Sequence, residues 1–282
     1  TVLGVSSIRG VYKTGMGLPD MYDTNYSNTP TMGEWDLLAS GSYNGPNGIG
    51  WCPAGWTSYE RAYAGWLDIE ELKAGDIITG MKDLEDYEGK AYAIYNDNHR
   101  DEFYLLENHK NRRWDAYTPE GGLLVIHVDY DKALFDNNIV NSKGTFTPAQ
   151  GYDGIYTNDH PRMAPFSKIR SVTNETYYYT YPMEAPRGVL DSLTNVSKPA
   201  ATLYNALADG STLMGKPIYN IKKDAETGDI SFSFMTKDTG AETAVREIPY
   251  TEDSFSAEDN VYDLTGKLVG KRAGSLKPGI YI

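Results

Sequence analysis

The chain has 282 residues, and its 39 acidic against 26 basic side chains give a formal net charge of −13. This balance argues against binding to nucleic acid or to an anionic membrane surface, because both need a basic patch. No stretch approaches the roughly 18 consecutive apolar residues of a membrane-spanning helix. The single cysteine, Cys52, excludes an intrachain disulfide framework and a cysteine-rich zinc site.

The first 56 residues are rich in Gly, Asn, Pro, Ser and aromatic side chains and have no clear helical or strand period. This pattern predicts a loop-rich segment. A helix is predicted over residues 58–67, with Ser58 as its N-cap and with Tyr63 and Trp66 on its buried face.

Short strands are predicted from there to about residue 235, because apolar runs alternate with turn residues. They cover residues 77–79, 90–95, 102–108 and 122–130, and residues 217–223 and 229–235 form a hairpin around Glu226-Thr227-Gly228. The predicted fold class is mainly β with a small α and loop-rich subdomain, the β part being a sandwich. The predicted divisions are 1–75 (loop-rich), 76–237 (β-sandwich), 238–259 (linker) and 260–282 (small β unit).

Two polar segments carry motifs that, taken alone, are ordinary turns. They read GLPDMYD over residues 17–23 and EWDLLASGS over residues 34–42. Together they resemble the active-site region of the immune inhibitor A-like family of secreted zinc metallopeptidases, where HExxH is followed by xxGxPDxYD and then by a WDxMxSGS turn. The resemblance continues through PAGWTSYER at 53–61, GLLVIHVD at 122–129 and HPRM at 160–163, and covers about residues 8–235.

The resemblance implies the C-terminal part of a zincin-like catalytic domain followed by a β-sandwich, and a parent activity of zinc-dependent cleavage of protein or peptide substrates. It places Asp20 at the third metal ligand of the family pattern. The HExxH motif, which supplies two zinc ligands and the general base, is absent, because the aligned positions are Gly10, Val11, Tyr12, Lys13 and Thr14. We therefore expect the chain as given to be inactive, as a fragment of a peptidase or a degenerate homologue, and to bind no zinc.

The remaining candidate residues carry weaker signals. The loop residues Trp51 and Trp56 are candidates for lining a sugar or peptide groove. Two groups of oxygen ligands would suit calcium, although solvated turns are the simpler interpretation: Asp20, Asp23 and Asn25, and Asp97, Asn98 and Asp101. The four histidines lie far apart in sequence, and His127 is interpreted as a structural histidine hydrogen-bonded to backbone within a sheet.

Residues 261–269 and 276–282 resemble the C-terminal sorting domain of proteins exported by type IX secretion, in a shortened copy. This second resemblance implies an exported or surface-attached protein. The sequence thus predicts a secreted metallopeptidase relative without its catalytic motif. The alternative is a non-catalytic cell-surface module that binds protein or glycan, and a purely structural spacer is a third class.

Overall fold

A computed structural model of the chain describes residues 15–48, 50–166, 168–169, 176–177, 180–185, 188–238, 260–262 and 268–271. The chain divides into two compact units, Thr1–Thr239 and Gly240–Ile282. The predicted linker lies outside the described residues except for Asp238, and so does most of the predicted unit at 260–282.

The described helices are short and the described strands are many. The α-helices are α1 (Ser58–Tyr63) and α2 (Lys132–Asp136), and 3-10 turns lie at Gly33–Trp35, Ser40–Tyr43, Pro46–Gly48, Arg113–Tyr117 and Pro148–Gln150. The strands of the first unit are β1 (Glu70–Glu71), β2 (Ile77–Met81), β3 (Tyr92–Tyr95), β4 (Glu102–His109), β5 (Gly122–Asp129), β6 (Gly144–Phe146), β7 (Tyr156–Asn158), β8 (Met163–Pro165), β9 (Lys168–Ile169), β10 (Thr176–Tyr177), β11 (Met183–Ala185), β12 (Gly188–Leu190), β13 (Ile218–Lys223) and β14 (Ile230–Phe234). The second unit contains the antiparallel pair β15 (Asn260–Tyr262) and β16 (Leu268–Lys271).

Two sheets dominate the first unit. The larger has the order β1-β3-β4-β5-β8, antiparallel except for the β1–β3 pair, and the smaller has the order β13-β14-β2. The predicted strands at 77–79, 90–95, 102–108 and 122–130 and the hairpin at 217–235 are confirmed, with ends that shift by one or two residues. The mainly β character of the chain is therefore as expected.

The larger sheet is buried on both faces, which explains the unbroken apolar run of β5. Leu123 and Val125 face a core that both sheets share, where they meet side chains such as Phe232 of β14. Leu124 and Ile126, on the opposite face, pack against the loop-rich segment 15–48 in a second core. A strand covered on both sides has no polar face, so its sequence does not alternate.

The predicted buried face of the helix is wrong. Helix α1 ends at Tyr63 rather than Leu67, its N-cap is Thr57 rather than Ser58, and Tyr63 and Trp66 are exposed. The buried side chains of α1 are the polar ones, Ser58 and Glu60. They are buried because they face a network of charged groups and not an apolar core. Within the described part of the chain, none of the helices is long and apolar enough to span a membrane.

Candidate functional site

An open groove of about 700 Å³ lies beside helix α1. Four aromatic side chains line it, and Trp66, Tyr87 and Trp114 among them are exposed while Trp56 is half-buried. The rest of the lining consists of Leu37, Pro53, Ala54, Gly55, Arg61, Leu84, Glu85, Asp86 and Arg113. We call this site the aromatic groove.

The ends of helix α1 position two of the tryptophans. Thr57 and Glu60 form a capping box, in which Glu60 Oε2 accepts from Thr57 N at 2.8 Å and Thr57 Oγ1 accepts from Glu60 N at 3.4 Å. Trp56 directly precedes this cap, and Trp66 follows Gly65, whose φ of +73° turns the chain after the helix. The two indole rings meet edge to face with centroids 5.9 Å apart.

Arg61 connects helix α1 to the loop that carries Tyr87. Its guanidinium donates to the carbonyl oxygens of Trp56 at 2.9 Å and Leu84 at 2.8 Å, and to Glu85 Oε1 at 2.9 Å. Burial and the nearby Asp115 carboxylate raise the pKa of Glu85, although Arg61 opposes this shift. These three hydrogen bonds hold the planar guanidinium group in one position, so Arg61 fixes one side of the groove.

A buried ion network supports the turn that carries Trp114. His109 Nε2 lies 2.9 Å from Glu107 Oε1, and His109 Nδ1 lies 2.9 Å from Asp115 Oδ2. Burial on its own lowers the pKa of His109, but the Asp115 and Glu107 carboxylates outweigh burial and raise the pKa to about 10. The imidazole is therefore a cation at neutral pH.

The same network reaches the groove through backbone donors. Asp115 Oδ1 accepts from Gly55 N at 3.0 Å, and Glu107 Oε2 accepts from Ser58 N at 2.6 Å. The Trp35 ring packs edge to face on the His109 imidazole at 5.0 Å. One buried cation thus holds the segment before helix α1, the start of that helix and the 3-10 turn of Trp114 in a fixed arrangement.

Glu60 is a further buried acid beside this network. Burial raises its pKa well above the ordinary value, and the neighbouring carboxylates of Asp36 and Glu107 add to the shift. Among the described residues, Glu60 Oε1, Ser58 Oγ and the Trp35 indole nitrogen have no hydrogen-bond partner. Burial and the neighbouring carboxylates therefore favour the neutral form of Glu60 more than in an exposed glutamate.

The structure brings one of the two predicted binding residues to the groove. Trp56 lines it, whereas Trp51 is 71% exposed and is not among the lining residues. Trp51 is still adjacent in sequence to a residue that contacts the groove lining: the thiol of Cys52 lies 3.1 Å from the carbonyl oxygen of Arg113. Trp66 and Trp114, which the sequence analysis did not assign to a site, also line the groove and are more than half exposed. Trp66 was predicted to lie on the buried face of the helix, and Trp114 lies between the predicted strands 102–108 and 122–130, so no pattern in the sequence marked either as a binding residue.

Asp20, the predicted metal ligand, lies in a loop above the second core, between the buried Leu18 and Met21. Its Oδ2 accepts from Asn138 Nδ2 at 2.8 Å, and its backbone N–H donates to Asn138 Oδ1 at 2.6 Å. Among the described residues, no group of three or more His, Cys, Asp or Glu side chains is arranged to hold a metal ion. Residues 1–14, outside the described ranges, contain none of these four residue types.

The acidic loops considered for calcium have local partners. Asp23 accepts from Asn25 N at 3.1 Å, Ser27 Oγ at 2.9 Å and Thr29 N at 3.3 Å, which closes a turn of the 15–48 segment. Asp97 pairs with Lys216 Nζ at 2.6 Å. These carboxylates stabilise loop geometry.

Three of the four histidines, far apart in sequence, meet at the end of the larger sheet. His127 Nε2 lies 2.8 Å from Glu102 Oε1, so its partner is a carboxylate and the predicted backbone partner is wrong. His160 Nε2 lies 2.7 Å from Asp129 Oδ2, and His99 Nε2 lies 3.8 Å from Asp129 Oδ1. Sequence reasoning missed this convergence because it depends on the register of strands β4 and β5, which sets Glu102 opposite Asp129.

The ring of Tyr204 is stacked between the rings of His127 and His160, at centroid distances of 4.6 and 3.8 Å. Burial raises the pKa of Glu102, but hydrogen bonds from His127, Tyr204 N and Asn96 outweigh burial and lower the pKa to about 2. The cluster fastens the chain around Tyr204 to the sheet end. Its polar groups are used in these contacts, so the aromatic groove is the better candidate for ligand binding.

Comparisons with known proteins add no relative to this geometry. No protein-family model matches the chain, and neither the curated proteins nor the solved structures contain a match.

Proposed function

We propose that this chain is a non-catalytic ligand-binding module of an exported protein, and that the aromatic groove is its binding site. The observation that carries the proposal is the convergence of Trp56, Trp66, Tyr87 and Trp114 on one open groove of about 700 Å³. Exposed aromatic side chains that face one cavity are typical of sites for peptides and glycans. They offer large contact surfaces with few rotatable bonds, so little conformational entropy is lost on binding.

The buried His109 network supports the same proposal. It holds the turn of Trp114 against Gly55 before any ligand arrives. A site that is preformed in this way does not spend binding free energy on ordering its walls. The packing of the two sheets over one core supports the interpretation of their region as a β-sandwich that carries this site.

Zinc chemistry does not fit the donor set of the described residues. A catalytic zinc needs about three protein ligands, the resemblance provides one, Asp20, and no group of three or more His, Cys, Asp or Glu side chains is arranged for a metal among these residues. We therefore propose no metal-dependent step. By resemblance, the chain is a relative or a portion of an immune inhibitor A-like metallopeptidase whose catalytic histidines are not in this sequence.

One observation favours a second candidate function, that of a segment of an active zinc peptidase. Asp20 is buried and held by two hydrogen bonds with Asn138, one donated by each residue, and a metal ligand needs a rigid support of this kind. Residues 10–14 contain no HExxH motif, so this candidate requires that the parent protein has such a motif just before Met16 and that it is deleted from this sequence. Sequencing the gene across that point decides it.

The binding proposal is tested by screening the immobilised chain against a glycan array and a random peptide library. Each hit is measured again with Trp114→Ala, Trp56→Ala and Trp51→Ala. We expect hits that Trp114→Ala and Trp56→Ala abolish and that Trp51→Ala leaves within about twofold, because Trp51 is outside the groove. Hits that are indifferent to both groove variants, or the absence of hits in both screens, would overturn the proposal.

A further inference from the structure

We infer that the ligand of the aromatic groove is a neutral glycan, bound with its sugar-ring faces on the exposed indoles of Trp66 and Trp114. This inference rests on the proposed function, because it names the chemical class that the same groove takes. Three features of the groove carry it: its charge balance, the exposure of its tryptophans, and the mixture of donors and acceptors between them.

The groove is electrically balanced although the molecule is strongly acidic. Its lining contains two cations, Arg61 and Arg113, and two anions, Glu85 and Asp86. Arg61 pairs with Glu85, Arg113 donates to the carbonyl oxygen of Glu85, and Asp86 accepts from Arg112 at 3.2 Å. A basic ligand therefore finds both carboxylates already engaged, and an acidic ligand is repelled by a protein of net charge −13. A neutral ligand does not need a free carboxylate as a counter-charge, and it is not repelled by the acidic protein.

The tryptophans present the surface that a sugar ring needs. Trp66 is 60% exposed and Trp114 is 58% exposed, so each indole offers much of its surface to the ligand. An aromatic face carries negative partial charge, and the C–H bonds on one side of a pyranose ring carry positive partial charge. Stacking of the indole face on the sugar-ring face removes apolar surface of both partners from water.

The polar groups of the groove favour a glycan over the competing neutral ligand, a proline-rich peptide. Aromatic-lined grooves also bind extended proline-rich segments. Proline has no N–H group, however, so the carboxylates of Glu85 and Asp86 would lose water and gain few donors. Sugar hydroxyls both donate and accept. They can donate to the lone pairs of Glu85 and Asp86 that the arginines do not use, and they can accept from the N–H groups of Arg113 other than the one bonded to Glu85.

The test is native affinity electrophoresis of the full 282-residue chain in gels that contain one polysaccharide each. The neutral probes are mixed-linkage β-glucan, xylan, glucomannan and glycogen, and the acidic probe is alginate. We expect retardation by at least one neutral polysaccharide and none by alginate. We also expect Trp114→Ala and Trp66→Ala to weaken that binding about 30-fold, as for the loss of a binding hot spot, and Trp51→Ala to change it less than about twofold.

Two controls separate the failure of this inference from the failure of the proposed function. Circular dichroism and thermal melting confirm that each variant is folded, which is expected because both indoles are more than half exposed. A biotinylated proline-rich peptide is titrated against the same variants. Peptide binding that Trp114→Ala abolishes, with no retardation in any neutral polysaccharide, overturns the glycan inference and leaves the groove as a binding site. Absence of both overturns the glycan inference and counts against the groove as well.

Discussion

Replacing His109 with alanine tests the buried network on which the groove depends. The substitution removes the cation between Glu107 and Asp115, which are 0% and 4% exposed. Their carboxylates then remain buried without a counter-charge, and breaking a buried pair in this way costs about 3–5 kcal/mol. With a urea m-value of about 3 kcal/mol/M, the upper end for small proteins, the unfolding midpoint falls by about 1–2 M.

The assay is urea unfolding at pH 7, followed by tryptophan fluorescence. His99→Ala is the matched control, because its side chain is 44% exposed and its Nε2 lies 3.8 Å from Asp129 Oδ1. An exposed contact of this kind is worth less than about 1 kcal/mol. We therefore expect the His99→Ala midpoint to stay within about 0.3 M of that of the unsubstituted chain.

The same substitution in a double variant separates the effect of the His109 charge from the effect of its packing. In the double variant Glu107→Gln/Asp115→Asn the carboxylates are already neutral, so removal of His109 leaves no buried charge behind. The cost of His109→Ala should therefore be smaller in this background by about 2 kcal/mol or more. An equal cost in both backgrounds would show that only the packing of the imidazole on Trp35 matters, and the reasoning from ion pairing would be refuted.

The remaining predictions concern pH, packing and metal. Because the pKa of His109 is about 10 in the folded chain and about 6.5 when unfolded, its protonation stabilises the fold fully below pH 6.5, and this contribution is lost as pH rises through 10. Melting temperature should thus fall between pH 7 and 10 more steeply than in His109→Ala; parallel curves would contradict the assignment. Gly55→Ala should cost about 1–3 kcal/mol in urea unfolding, since a Cβ there lies 2.8 Å from Glu85 Oε1 and 3.2 Å from Asp115 Oδ1. Gly15→Ala, whose Cβ meets no atom of the described residues within 4 Å, should cost little, and equal losses would contradict the steric argument. Elemental analysis after dialysis should find far less than one zinc per chain, because Asp20 alone supplies one ligand of about three; stoichiometric zinc would overturn that conclusion.

The strands could be predicted from local pattern because the two cores impose it. Residues 122–129 read as one apolar run, and the structure buries alternate residues such as Leu123 and Leu124 in different cores. The helix at 58 was also predicted, although with Ser58 as its N-cap, whereas in the structure Thr57 is the N-cap and forms a capping box with Glu60. Its orientation was not found, because apolar spacing selected Tyr63 and Trp66 as the buried face. Burial of Glu60 depends on partners that are distant in sequence, and helical periodicity contains no information about them.

The candidate site was only partly visible for the same reason. Trp56 was identified as a binding residue from its place in a loop, but its neighbours in the groove come from positions 66, 87 and 114. No spacing rule joins these positions. They meet because Arg61 connects helix α1 to the loop at Glu85, and because His109 connects strand β4 to the turn at Asp115. Both connections are ion pairs, which neither helical nor strand periodicity reveals.

The buried network and the exposed groove depend on each other. Trp114 belongs to a 3-10 turn of five residues, Arg113–Tyr117, and a turn of that length has little stability of its own. Its position is set by Asp115, which is bonded both to His109 and to the backbone of Gly55. A change at His109 therefore alters the groove without touching its lining, because the turn gains freedom that a ligand must then remove. By this reasoning His109→Ala weakens ligand binding under conditions where the chain is still folded, and it does so through the geometry of Trp114 rather than through any contact with the ligand.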